Sequence, residues 1–130
     1  MSTDPKAFWE EKILTWEEGR FEQRKSKGGL LERIADASSR SLRFRIKTAV
    51  DLLEPHVRDK SVLEIGCGSG LVAQRFIDLG AARYEGIDIA ESAIAIANQR
   101  QRERGWSDRI TFRVDTVRAM PQVTADIVFS

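Results

Sequence analysis

Three glycines, Gly66, Gly68 and Gly70, alternate in the stretch Ser61–Leu71, "SVLEIGCGSGL", with Glu64 two residues ahead of them. Glycine lets the main chain turn sharply where a Cβ would collide, and bare backbone lets a ligand lie close. Gly66 and Gly68 suit the turn, and Gly70 suits the approach of a ligand to the helix that follows. Two further carboxylates fall at matching places. Asp88 closes the run "RYEGIDI", eighteen residues after Gly70, and Asp115 follows "RITFRV". A carboxylate at such a point can accept two hydrogen bonds from the vicinal hydroxyls of a ribose. The dinucleotide fingerprint G-x-G-x-x-G needs its third glycine at position 71, which is Leu. The spacing is G-x-G-x-G, and it disfavours a nicotinamide-dependent oxidoreductase.

Alternating strands and helices must hold these residues. "SVLEI" reads as a buried strand and "LVAQRFIDLG" as a helix with Val72, Phe76 and Leu79 inward. "RYEGIDI" is a second strand, and "ESAIAIANQRQRERG" a helix closed by Gly105. "RITFRV" turns Ile110, Phe112 and Val114 to one side, as an edge strand should, and "ADIVFS" is a fourth strand. This order predicts an α/β, Rossmann-like doubly wound parallel sheet with helices on both faces. The three carboxyl-side tips then share one edge of the sheet, where open α/β sheets bind ligands.

Two helices precede the sheet, so a helical extension over 1–55 and an α/β domain over 56–130 are expected. Asp4 and Pro5 open the first helix as N-cap and first residue. Trp9, Ile13, Trp16 and Arg20 share one of its faces, with Phe8 at the edge, either as core packing or as a lid over the site. "SKGG" at 26–29 ends it. The second helix is expected from about Ser39 to Glu54, striped by Leu42, Ile46, Val50 and Leu53 and stopped by Pro55.

"VLEIGCGSG", "YEGIDIAESAI", "ITFRVDTV" and "MPQVTADIVFS", taken in order, resemble the successive motifs of class I S-adenosylmethionine-dependent methyltransferases. The resemblance covers about Leu53 to Ser130. It implies that Glu64, Gly66, Cys67, Gly68 and Gly70 surround the methionine portion of S-adenosylmethionine. It implies Asp88 on the ribose hydroxyls, Ile89 against the adenine face, Asp115 as acceptor for the adenine amino group and Thr116 as a backbone contact. Ser130 falls near the methyl-transfer centre, and S-adenosylhomocysteine is the implied product. The methyl acceptor and any general base stay unassigned. Methyltransferases of this class resemble a seven-stranded sheet, whereas the pattern here ends on strand 4. The expectation is therefore the cofactor-binding part of a longer protein, or a shortened product, whose fourth strand pairs with another chain if it folds alone. A non-catalytic binding or assembly module is the alternative.

Composition narrows the field. A 130-residue chain with 42% hydrophobic and 32% charged residues suits one modest core. The net charge of +1 gives no strong nucleic-acid signal. No apolar run reaches a membrane span and no signal peptide opens the chain, which reads as cytoplasmic. Cys67, the single cysteine, excludes an internal disulfide and a multi-cysteine metal site. Cys67 reads as a small loop residue rather than a nucleophile, and His56 as a helix-end residue. Arg40, Arg43, Arg45 and Lys47 read as a solvated helix face opposite the apolar stripe.

Overall fold

The computed structural model describes residues 4–20, 30–120 and 122–130. Of the expected features, "SKGG" lies outside these residues, as do the side chains of Trp16, Arg20 and Leu42. Helix α1 spans Pro5–Arg20, and the Lys6 amide donates to Asp4 Oδ1 at 3.0 Å, so Asp4 caps it as its residue type predicts. Helix α2 spans Leu30–Val57, longer at both ends than expected, with Pro55 inside it. A proline in the last turn removes one amide donor near the terminus only, so the helix continues past it to bury Val57. Along α2, Val50 and Val57 are buried, while Ile46 and Leu53 pack against the same cluster.

Strands β1 (Ser61–Ile65), β2 (Arg83–Asp88), β3 (Ile110–Val114) and β4 (Ile127–Phe129) form one parallel sheet in the order β3-β2-β1-β4. Helix α3 (Ala73–Asp78) links β1 to β2, and α4 (Glu91–Arg104) links β2 to β3. Both crossovers move the chain in the same direction across the sheet, and right-handed connections then put both helices on one face. That face carries Val62, Tyr84, Ile110 and Phe112, which cluster with Val50, Phe76, Ile94 and Ala97 of the helices. Rings reinforce the layer: Phe76 lies 5.2 Å from Phe129 and 6.1 Å from Tyr84, centroid to centroid.

Helices on both faces were expected. Among the described residues α2 and α3 supply this cluster, α4 divides between it and a second cluster with Ile13 and Ala90, and the 115–126 connection that crosses to β4 contains turns but no helix. The strand order reverses between β1 and β4, and that switch point carries the site. Val114, expected inward, is 44% exposed because β3 is an edge and its last residue passes beyond the helix layer. The helix expected at 71–80 starts at Ala73, since turns occupy 68–72. Strand β4 is the other edge. Ser61 fixes its start: the Ser61 amide and hydroxyl both donate to Asp126 Oδ2 at 2.8 Å. Val50 of α2 shares one cluster with the sheet residues.

Candidate active site at the switch point

The loop after β1 is held at its base by β2: the amides of Gly66 and Cys67 both donate to the Ile87 carbonyl, at 2.8 and 3.0 Å. Gly66 and Gly68 adopt φ of +76° and +54°, and a Cβ on Gly66 would meet no atom within 4 Å. Their backbone therefore faces open space, as a ligand-bearing turn requires. Gly70 differs. At φ +72° a Cβ there would lie 2.4 Å from Phe112 Cζ. Its bare backbone lets the loop sit down on Phe112 of β3.

Asp88 joins the loop to the second strand tip. Its Oδ2 accepts from the Gly68 amide at 2.9 Å and its Oδ1 from the Ala90 amide at 2.9 Å. Each carboxylate oxygen retains a lone pair, so the group can both brace the loop and accept ribose hydroxyls. The Asp115 amide donates to the Asp88 carbonyl at 3.0 Å, which brings the third tip alongside. Asp115 Oδ1 accepts from the Thr116 amide at 2.7 Å, and its Oδ2 pairs with Arg113.

Two cavities meet on this loop, sharing Gly66 and Gly68. One, of about 560 Å³, takes in Asp88, Ile89, Asp115 and Thr116, with Trp9 and Ile13 of α1 opposite. The other, of about 290 Å³, takes in Glu64, Cys67, Phe129 and Ser130, with Arg45 and Ile46 of α2 opposite. Nine of the ten residues singled out from sequence thus line one or other cavity, and Gly70 does not.

Glu64 is a half-buried residue whose carboxylate Oε2 accepts from the Tyr84 hydroxyl. Burial drives its pKa up to about 7 against the opposing pull of the Tyr84 hydrogen bond, and the Asp88 charge adds to the rise. Burial and the charge of Glu64 push the Tyr84 phenol well above its usual range, so it remains a donor. Burial, then the charges of Glu64 and Asp88, push the Cys67 thiol far up as well. A thiol kept protonated is no nucleophile.

Helix α1 roofs the larger cavity. Ile13 is buried against Ala90 and Ala93, and the Glu10 carboxylate accepts from the amides of Glu91 and Ser92 at the start of α4. Ala90, the N-cap of α4, has no side-chain cap of its own, so a residue eighty positions away supplies one. Lys6 pairs with Glu91 at 2.6 Å beside it. Sequence reasoning left α1 between core and lid; its apolar face does both, with Ile13 in the core and Trp9 on the cavity. The caps from Glu10 and the place of Arg45 had no local signal, because both depend on how helices distant in sequence lie on the sheet.

An open parallel sheet with bare backbone at its switch point, carboxylates at two neighbouring tips and the half-buried Glu64 beside them defines a Rossmann-like ligand-binding domain. The Methyltransferase domain family matches residues 62–130, over half of the chain, and the chain belongs to that family. Its cofactor is S-adenosylmethionine, and the residues present fit that group: open glycine backbone, a tip carboxylate for a ribose, and a charged recess for an amino-acid end.

Among known proteins, the chain is 35% identical over 71 residues to a ribosomal protein L11 methyltransferase of Alteromonas mediterranea, covering 55% of this chain and 24% of that protein. It is 44% identical over 52 residues to the Escherichia coli enzyme of the same name, covering 40% of this chain and 18% of that one. The chain therefore spans a quarter or less of the length of these relatives. The magnesium protoporphyrin IX methyltransferase of Synechocystis, solved with bound S-adenosylhomocysteine, superimposes with a TM-score of 0.73 at 16% identity, covering 95% of this chain and 54% of that one. The [4+2]-cyclase SpnF superimposes with a TM-score of 0.58 at 22% identity, covering 90% and 43%. Likeness at these identities concerns the fold.

Proposed function

We propose that this chain is the cofactor-binding part of an S-adenosylmethionine-dependent methyltransferase whose acceptor enters beside Ser130. One observation carries the reading: two cavities joined at Gly66 and Gly68, with the Asp88 carboxylate on one side and the Glu64 carboxylate on the other. When bound, the cofactor supplies an electrophilic methyl group on a sulfonium. The chain's own residues bind, orient and exclude water. Asp88, Ile89, Asp115 and Thr116 frame the adenosine end, Trp9 and Ile13 cover it, and Glu64 takes the amino-acid end. Alignment of this kind can lower a bimolecular barrier by about 7–11 kcal/mol, so a placed pair of reactants needs little more from the protein.

Names of relatives supply no acceptor for this chain. The L11 methyltransferase match covers only 24% of that protein, and the protoporphyrin enzyme is a neighbour in fold. A second reading is a binding module without methyl transfer, since the [4+2]-cyclase SpnF has a similar fold. Titration calorimetry with S-adenosylhomocysteine and with NAD tests the proposal. Saturable binding of the first and none of the second is expected. NAD binding, or no binding of either, would sink it, and tight cofactor binding without turnover on any acceptor would favour the second reading. A cytoplasmic location suits the free, buried Cys67. Recovery of the protein from the periplasm or culture medium in cell fractionation would refute that location.

A further inference from the structure

Helix α2 walls the smaller cavity through Arg45, Ile46, Ala49 and Val50, and Ser130 lies on the same cavity. Arg45 is the only charged residue of that wall. Helical spacing puts Arg45, Ala49 and Leu52 in one row, at i, i+4 and i+7, so the row leaves the cavity and reaches Leu52 about 10 Å along the helix. Leu52 is 70% exposed, and Phe44, next to Arg45, is exposed to the same extent. Two large apolar side chains standing in solvent on the rim of one cavity form a ledge for an apolar molecule.

Charge narrows what that molecule is. Four basic residues crowd positions 40–47, but they are not equivalent. Lys47 pairs with Asp51, and Arg40 and Arg43 each engage another group. Arg45 has no ion-pair or hydrogen-bond partner among the described residues, and of the four it is the one that lines the cavity. Its guanidinium offers a fork of donors that fits two oxygens of one carboxylate or phosphate. A single unpaired cation beside an apolar ledge suits one oxyanion on an apolar body. An anionic lipid surface would draw on several cations at once.

We propose that the methyl acceptor is an apolar acid whose oxyanion, a carboxylate or a phosphate, pairs with Arg45 while its apolar body lies along Ala49 and Leu52 with Phe44 beside them. This acceptor class rests on the methyltransferase reading above and goes beyond it, since it concerns the acceptor and not the cofactor. Selection of the acceptor then falls to α2, which precedes the matched residues 62–130. Arg45 is exposed, so solvent screens it and its effect is moderate rather than extreme.

Decanoate, monodecyl phosphate, decanol and decylamine offer one apolar body with different head groups. Their Kd values are measured by calorimetry, below micelle-forming concentrations and with S-adenosylhomocysteine present, for the unmodified chain, Arg45→Gln and Leu52→Ser. At least one of the two acids should bind about tenfold tighter than decanol, and the tighter one names the oxyanion. Decylamine should bind weakest. Arg45→Gln should erase the preference for acid over alcohol and leave decanol within twofold. Leu52→Ser should weaken acid and alcohol alike, about threefold or more, with the preference intact. Both variants should bind S-adenosylhomocysteine within twofold of the unmodified chain. An acid preference that survives Arg45→Gln, or equal binding of all the head groups, overturns the proposal. So does an Arg45→Gln chain that loses S-adenosylhomocysteine affinity but keeps its acid affinity, which would give Arg45 to the cofactor. Binding to phosphatidylglycerol vesicles, or self-association in light scattering, that Leu52→Ser abolishes would give the ledge to a lipid surface or a second copy and overturn it as well. Failure of the unmodified chain to bind S-adenosylhomocysteine defeats the methyltransferase reading and the acceptor class together, whereas the other outcomes defeat the acceptor class alone.

Discussion

The Glu64 carboxylate sets a stability that should fall as pH rises, opposite to the usual carboxylate. Its pKa is raised from 4.5 to about 7 in the folded chain, first by burial. Between those values the folded state holds a proton that the unfolded state has released, so raising pH favours unfolding. The difference between 4.5 and about 7, at ~1.4 kcal/mol per pH unit, corresponds to roughly 3.5 kcal/mol once pH exceeds both values. Of this, about 2.5 kcal/mol should develop between pH 5 and pH 8, since the unfolded carboxyl is already partly ionised at pH 5.

Glu64→Gln keeps the shape and an oxygen to accept from Tyr84, but cannot ionise. Urea unfolding of both chains followed by circular dichroism, at pH 5 and pH 8, isolates the effect, because every other titrating group is common to the two. The variant should gain about 2–3 kcal/mol on the unmodified chain over that interval. It should also bind S-adenosylhomocysteine more weakly, since a neutral amide cannot pair with an ammonium. Such a stability cost at a ligand-binding group is the expected signature of function. A stability difference that stays constant from pH 5 to pH 8 would refute the raised pKa of Glu64.

Two other substitutions probe the parts that hold the site. Gly70→Ala combines a φ of +72° with a Cβ 2.4 Å from Phe112, and should destabilise the chain by about 2–4 kcal/mol in the same unfolding assay; a loss under ~0.5 kcal/mol would mean the loop does not rest on β3. Glu10→Ala removes the cap that α1 supplies to α4 and should cost about 1 kcal/mol. By loosening the roof over the adenosine cavity it should also weaken S-adenosylhomocysteine severalfold, and unchanged affinity would show that the cap is structural only.

Local signals sufficed where a residue's role depends on its immediate neighbours in the chain. Asp4 and Pro5 predict the start of α1, the alternation of β1 to β3 predicts the strands, and G-x-G-x-G between strand and helix predicts a bare turn with Asp88 and Asp115 at the adjoining tips. These are backbone and periodicity effects, complete within a few residues. Other features needed chains of contacts far apart in sequence. Gly70 looks like its two companions until Phe112 is found beneath it. Pro55 looks like a stop until Val57 is found in the core beyond it. Glu10 is one acid among several until α1 lies across the start of α4, and Arg45 is one base among several until α2 brings it to the cavity that Glu64 also lines. Spacing along the chain thus determined which groups could bind a ligand. Only packing of the helices on the sheet decided which of them share a cavity, because burial and pairing are properties of surfaces that the linear order does not bring together.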